Sequence, residues 1–84
     1  MRLTLGRHAE VIGGLRSWAQ KNPLRERPHG QLMLALHRDG RRSEALYVYE
    51  QLRRHLIEQL GAEPTAAGQD LYSRILRSDL ALTY

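Results

Sequence analysis

Eighty-four residues, 42% of them hydrophobic and 26% charged, make one small folded domain, because a chain of this size buries only roughly 60–65% of its unfolded surface and has no room for a second core. The absence of cysteine excludes a disulfide framework, a thiolate zinc site and a cysteine nucleophile. No apolar run reaches the roughly 18–20 residues that cross a bilayer and the start lacks a signal-peptide core, so no membrane partner is expected and the expected location is the cytoplasm. The net charge of +4 invites a nucleic-acid reading. However, 12 of the 13 basic residues are arginine, against the single Lys21, a bias that a GC-rich genome produces without selection for phosphate contacts. Direct nucleic-acid binding by these residues is not expected.

Along the chain, Gly6-Arg7-His8-Ala9-Glu10-Val11-Ile12 is echoed by Gly40-Arg41-Arg42-Ser43-Glu44-Ala45-Leu46 at an offset of 34 residues. The same offset carries Leu15 onto Tyr49 and Trp18 onto Leu52, so the apolar spacing is repeated as well as the glycine. A period of 34 is that of the tetratricopeptide (TPR) helical hairpin. In the first unit only the second helix is present, over residues 7–22, with Val11, Ile12, Leu15, Trp18 and Ala19 as its apolar stripe. Gly13-Gly14 inside it cost about 1 kcal/mol each relative to alanine, so this helix depends on tertiary packing. With no repeat partner before it, Val11, Ile12, Leu15 and Trp18 form a candidate self-association strip, covered most economically in a two-fold homodimer. For Trp18, core packing between the first two helices and exposure both stay open.

Pro23 closes the first unit, and a complete hairpin is expected over residues 24–60. Pro28 is tolerated at the first position of a helix, which places the start near Arg27. Leu32, Ala35 and Leu36 mark its stripe, Asp39-Gly40 breaks it, and Ser43 or a neighbour caps the next helix, whose stripe is Ala45, Tyr49, Leu52, Leu56 and Leu60. Leu32, Leu36, Ala45 and Tyr49 stand at the large, large, small and aromatic packing positions of the TPR pattern. Gly61 and Glu63-Pro64 end that helix, and Thr65 caps a fourth over residues 65–78, with Leu71, Tyr72, Ile75 and Leu76 covering the hairpin. Residues 79–84 read as a frayed tail. The fold class is all-α: about four helices in TPR-like antiparallel hairpins, a right-handed helical repeat within one domain over residues 1–78.

The chemistry-bearing residues do not assemble into a reaction centre. His8, His29, His37 and His55 are not paired one helical turn apart with an acid between them, as a zinc site requires. The serines lack a nucleophile-elbow context, and Gly13-Gly14 is not followed by a phosphate-loop lysine and serine. An enzyme is not expected, nor any cofactor or metal. Glu50 and Arg54 make a solubilising helical pair, and the neighbouring Tyr47 is a candidate partner contact. The better binding candidate is a groove on the helix from Arg27, where Arg27, Leu34, His37 and Arg38 give a basic surface with one apolar contact, suited to an acidic amphipathic peptide or helix. The alternative is that these four are solvated ends and edges.

Several linked strings resemble one family: Leu5-Gly6-Arg7-His8-Ala9-Glu10, Pro23-Leu24-Arg25-Glu26-Arg27, Gln31-Leu32-Met33-Leu34-Ala35-Leu36, Gly40-Arg41-Arg42-Ser43-Glu44-Ala45-Leu46 and Leu60-Gly61-Ala62-Glu63-Pro64. In order and spacing, from about Leu5 to Ile75, they are similar to the bacterial transcriptional activator domain of actinobacterial antibiotic-pathway regulators. The resemblance implies a protein-interaction and activation module of a regulator of secondary metabolism, without a DNA reader of its own. Its implied partner is a protein, either transcription machinery or another domain of the same regulator. In that family a winged helix precedes the module, and no residue of it is carried onto this chain. The competing function is a generic TPR-like adapter for an acidic peptide or helix; against a tail receptor, Gly30 and Leu34 stand where such receptors place a lysine and an asparagine.

Overall fold

The computed structural model describes residues 2–77, with side chains from residue 9 onward. They form four helices, α1 (Arg2–Lys21), α2 (Glu26–Arg38), α3 (Arg42–Leu60) and α4 (Ala66–Arg77), and no strand occurs among the described residues. This is the all-α arrangement of helical hairpins that the two stripes and their glycine breaks imply. The side chain of His8 and the tail at 79–84 lie outside the described residues.

Helix α1 starts earlier than residue 7 and runs unbroken through Gly13 and Gly14. A Cβ at either glycine would meet nothing within 4 Å, so neither is demanded by packing. What holds α1 is its flank against α2, where Ile12 and Ala19 are buried. Helix α2 begins at Glu26, one residue before the expected start, and Pro28 is its third residue. Amides of the first turn have no intrahelical acceptor, so the missing N–H of proline costs nothing there, while its ring is buried as core.

The turn between α2 and α3 is built by Gly40, whose φ of 77° is left-handed. The Arg41 amide then donates to the Leu36 carbonyl at 2.8 Å and the Gly40 amide to His37 at 3.0 Å, a Schellman closure that satisfies the last carbonyls of α2. Gly61, with φ 65°, closes α3 in the same conformation. Ser43 does not cap α3: it is the second residue of the helix, and Arg41, at the cap position, makes no side-chain cap bond.

The core joins Leu32, Met33 and Leu36 of α2 to Ala45, Val48 and Tyr49 of α3, with Ile12 and Ala19 from α1 and Ile75 from α4. Two expected core positions fall outside it. Leu60 is 62% exposed, because α2 has 13 residues against 19 for α3 and its antiparallel partner ends before the last turn of α3. Leu76 is 46% exposed; Ile75 takes the inward position of that turn, and the next residue is rotated by about 100°.

Helix α4 is held at both ends by side chains of the hairpin. Thr65 precedes it, with its hydroxyl accepting from the Gly68 amide at 3.4 Å. The Thr65 amide and hydroxyl donate to Glu26 at 2.9 and 2.8 Å. At the other end the Arg42 guanidinium donates to the carbonyls of Ile75, at 2.9 Å, and of Leu76, where a cation also suits the negative end of the helix dipole. Between these anchors Tyr72 stacks on Tyr49 with ring centroids 4.3 Å apart.

Candidate protein-interaction surfaces

The groove expected on α2 is only partly assembled. Arg27 and Arg38 are exposed and Leu34 is half-buried between them, seven and four residues away, which puts all three on one side of the helix. His37 does not join them. It follows Gly30 by seven residues and Met33 by four, on the flank turned to α4, where a Cβ on Gly30 would meet Leu71 Cδ2 at 3.9 Å. Its ring is half-buried, and Nδ1 is enclosed without a hydrogen-bond partner. The open face is shallow: the cleft at its edge, lined by Val11, Ile12, Ala35 and Arg38, holds about 120 Å³.

The self-association strip also divides. Val11 is 52% and Trp18 40% exposed, whereas Ile12 is buried and Leu15 packs half-buried against the core. Ile12 is therefore spent on the chain's own core, and the strip that remains is Val11, Trp18 and the outer edge of Leu15. The repeat explains the split. On α3 the counterparts of Val11, Leu15 and Trp18 are Ala45, Tyr49 and Leu52, all buried, and α3 packs on both α2 and α4; among the described residues α1 packs on α2 alone, and no second helix covers its other flank.

Two larger hollows join elements in a way that stripes along single helices do not disclose. One, of about 610 Å³, opens between α3 and α4 and is lined by Glu50, Arg53, Arg54, Ile57, Glu63 and Tyr72 among others. Its charges are internally matched: Arg53 grips Glu63 at 2.8 and 3.1 Å. The other, of about 430 Å³, has α2 as its floor and α1 and α3 as its walls. Leu32, Val48 and Ala19 supply its apolar base, and Arg16, His29, Tyr47, Gln51 and His55 supply its polar groups. Tyr47, expected as a partner contact, is 61% exposed here.

The histidines of this second hollow differ. His29 is buried, and its Nδ1 lies 2.6 Å from the Arg25 carbonyl. A carbonyl only accepts, so Nδ1 carries the proton and Nε2 is the unprotonated nitrogen. Burial, with His55 nearby adding to it, lowers the pKa of the ring below its ordinary 6.5 despite the opposing bond to Arg25. His55 is half-buried, with its Nδ1 enclosed and without a hydrogen-bond partner. At the rim, Glu44 is held by Arg41 through two bonds of 2.9 Å, which pull its carboxyl below the usual carboxylate range. Arg16 reaches the same carboxylate only at 3.4 Å. Among the described residues no group of three or more His, Cys, Asp or Glu converges as a metal site would need.

Antiparallel amphipathic helices stacked through a small-residue crossing at Ala45, with open hollows on their flanks, define an all-α helical-hairpin module. Within that class residues 1–76 match the bacterial transcriptional activator domain, and the chain belongs to that family. It is 48% identical to the regulatory protein AfsR of Streptomyces coelicolor over 98% of this chain and 8% of that protein. It is 44% identical to the regulatory protein DnrI of Streptomyces peucetius over 92% of this chain and 28% of the relative. The transcriptional regulator RedD of Streptomyces coelicolor is 36% identical over 92% of this chain and 22% of its own length. The chain thus spans a minor part of the relatives it matches.

Proposed function

We propose that the chain is the protein-interaction and activation module of a bacterial regulator of secondary metabolism, working in the cytoplasm on a protein partner and carrying no catalysis. The partner is transcription machinery or another domain of the regulator. The observation that supports this best is the outward side of α2, where Arg27 and Arg38 flank Leu34 away from the core. Two fixed cations around an apolar contact suit an acidic amphipathic segment. The relatives, one named as a regulatory protein and another as a transcriptional regulator, set the context in which such a contact acts.

Fusing the 84-residue chain to an unrelated DNA-binding domain upstream of a reporter promoter tests the reading. Activation above that of the DNA-binding domain alone is the expected result. The double variant R27A/R38A should lower it while leaving the helical circular dichroism unchanged. A fusion at basal level, together with salt-sensitive binding of labelled DNA by the chain itself, would replace this function with nucleic-acid binding.

A further inference from the structure

The hollow between α1, α2 and α3 sits on a different side of the molecule from the α2 face just described. It is walled by Tyr47, Gln51 and His55 of α3 and by Arg16 of α1. Among the described residues none that line it is Asp or Glu, and the carboxylate of Glu44 reaches it only from the rim. The hollow at the repeat-equivalent place between α3 and α4 has Glu50, Glu58 and Glu63 facing its arginines. Among the described residues Arg16 is the only guanidinium that lines the α1–α2–α3 hollow. Among the described residues its single ion pair is the 3.4 Å contact to the Glu44 carboxylate, which Arg41 already holds through two shorter bonds. Turning Arg16 toward a ligand therefore breaks no strong bond. Half-buried His55 and Gln51 stand in the opposite wall, and beneath them and Arg16 lies the apolar base of Ala19, Leu32 and Val48.

Resting on the interaction-module reading, we propose that this hollow is the docking pocket for an acidic amphipathic segment of the protein partner. One apolar side chain of the segment lies on Leu32 and Val48, and a neighbouring carboxylate meets Arg16, with His55 and Gln51 donating beside it. A volume of about 430 Å³ accommodates one large aliphatic or aromatic side chain with a carboxylate at its mouth, at the small end of the roughly 300–1,000 Å³ typical of ligand clefts. Charge-assisted bonds from a guanidinium are the strong ones, and here they need displace only the loose contact to Glu44. Helix-in-groove binding supplies this pattern, an apolar anchor with an acidic residue one turn away.

The test uses the full 84-residue chain and a defined probe, a fluorescein-labelled, N-acetylated peptide of repeating Glu-Leu-Leu-Glu, beside the same peptide with every Glu replaced by Gln. Binding is read by anisotropy and mapped by ring-proton shifts of the histidines and methyl shifts of Val48 and Leu32. The acidic peptide should move the His55 and Val48 signals, and the Gln peptide should bind about tenfold more weakly, as the loss of a charge-assisted bond implies. R16Q and H55L should each weaken the acidic peptide several-fold at an unchanged melting temperature and diminish the Val48 and Leu32 methyl shifts, which R27A/R38A should leave in place. Equal binding of both peptides, shifts confined to the α2 face or the α3–α4 hollow, or displacement of the peptide by duplex DNA at the same residues would each overturn the pocket. R16Q/H55L in the reporter fusion separates this from the broader reading: full activation by that variant sinks the pocket and leaves the module standing, whereas no activation by the unaltered chain removes the module itself.

Discussion

Glu26 and Thr65 stand at the starts of two different helices and are joined by a pair of hydrogen bonds, with both Oε atoms of the carboxylate accepting, at 2.9 Å from the Thr65 amide and 2.8 Å from its hydroxyl. Glu26 thus closes the entry of α4 from the first turn of α2, while Arg42 closes its exit. Between these ties Ile75 is the single buried residue of α4, with Leu71 and Tyr72 half-buried against the core. E26A should therefore cost about 1–2 kcal/mol, and T65A a similar amount, with the double variant less destabilised than the sum because both break the same contact. Hydrogen exchange is the discriminating readout, since amides of α4 should lose protection before those of α2 and α3. Uniform loss across all four helices would show that α4 is not held separately.

Ala45 is fully buried at the crossing of α2 and α3, in one cluster with Leu32, Leu36 and Tyr49. No space remains for a longer side chain, so A45L should overpack the crossing and cost about 1–3 kcal/mol. A denaturant midpoint equal to that of the unaltered chain would contradict the close approach of these two helices.

How far the sequence discloses the molecule depends on how local each feature is. The hairpin was legible because Gly40 and Gly61 mark left-handed closures and because Leu32, Leu36, Ala45 and Tyr49 carry the packing pattern in a single chain register. Met33 and Val48 were missed as core: each lies beside an expected stripe residue and is buried only because a third helix covers the flank of its hairpin. The hollow lined by Arg16, His29, Gln51 and His55 was illegible for the same reason at larger scale. It exists through the rotation of three helices about one another, and no periodicity within one helix encodes that. Tyr47 was the one wall residue with a signal of its own, a large aromatic on an otherwise polar face.

The buried ring of His29 makes stability depend on pH with a definite sign. In the unfolded chain it binds a proton near the ordinary 6.5, but in the folded chain burial postpones protonation to lower pH. Between these two values the unfolded state binds more protons. The contribution of His29 is thus fully present above the unfolded value and is lost as the pH falls toward the folded one. Urea midpoints should decline from about pH 7.5 to about pH 5.5, and the decline should shrink in H29N, whose amide can still donate to the Arg25 carbonyl. An H29N profile parallel to that of the unaltered chain would assign the slope to other groups.

Gly13 and Gly14 are exposed within α1, and a Cβ at either would touch nothing. Each costs helix stability with no packing return visible in this chain. G13A and G14A should each raise stability by roughly 0.5–1 kcal/mol, read as a higher thermal midpoint with more helical ellipticity. A drop on either substitution would mean that the backbone at that point is approached closely by something outside the chain.

The two halves of the repeat differ in how their stripes are covered. On α3 the stripe of Ala45, Tyr49 and Leu52 is buried, whereas on α1 its counterparts leave Val11 52% and Trp18 40% exposed, with Leu15 half-buried. The stripe is made to receive a helix, and an uncovered apolar strip of this kind draws a partner or aggregates. A second copy is the occupant expected for the 84-residue chain in solution. Two α1 helices related by a two-fold axis would each cover the other's Val11 and Trp18, and a self-complementary patch closes at two copies without growing into filaments. Sedimentation across a concentration series should show a monomer–dimer equilibrium, with Trp18 fluorescence shifting to the blue as the dimer forms. V11E should abolish both changes while preserving helicity, because a carboxylate on each side of the axis would face its twin across an apolar contact. A monomer persisting at high concentration, with a blue-shifted Trp18 shielded from quencher, would mean that the chain covers the strip by itself and that no second copy is needed.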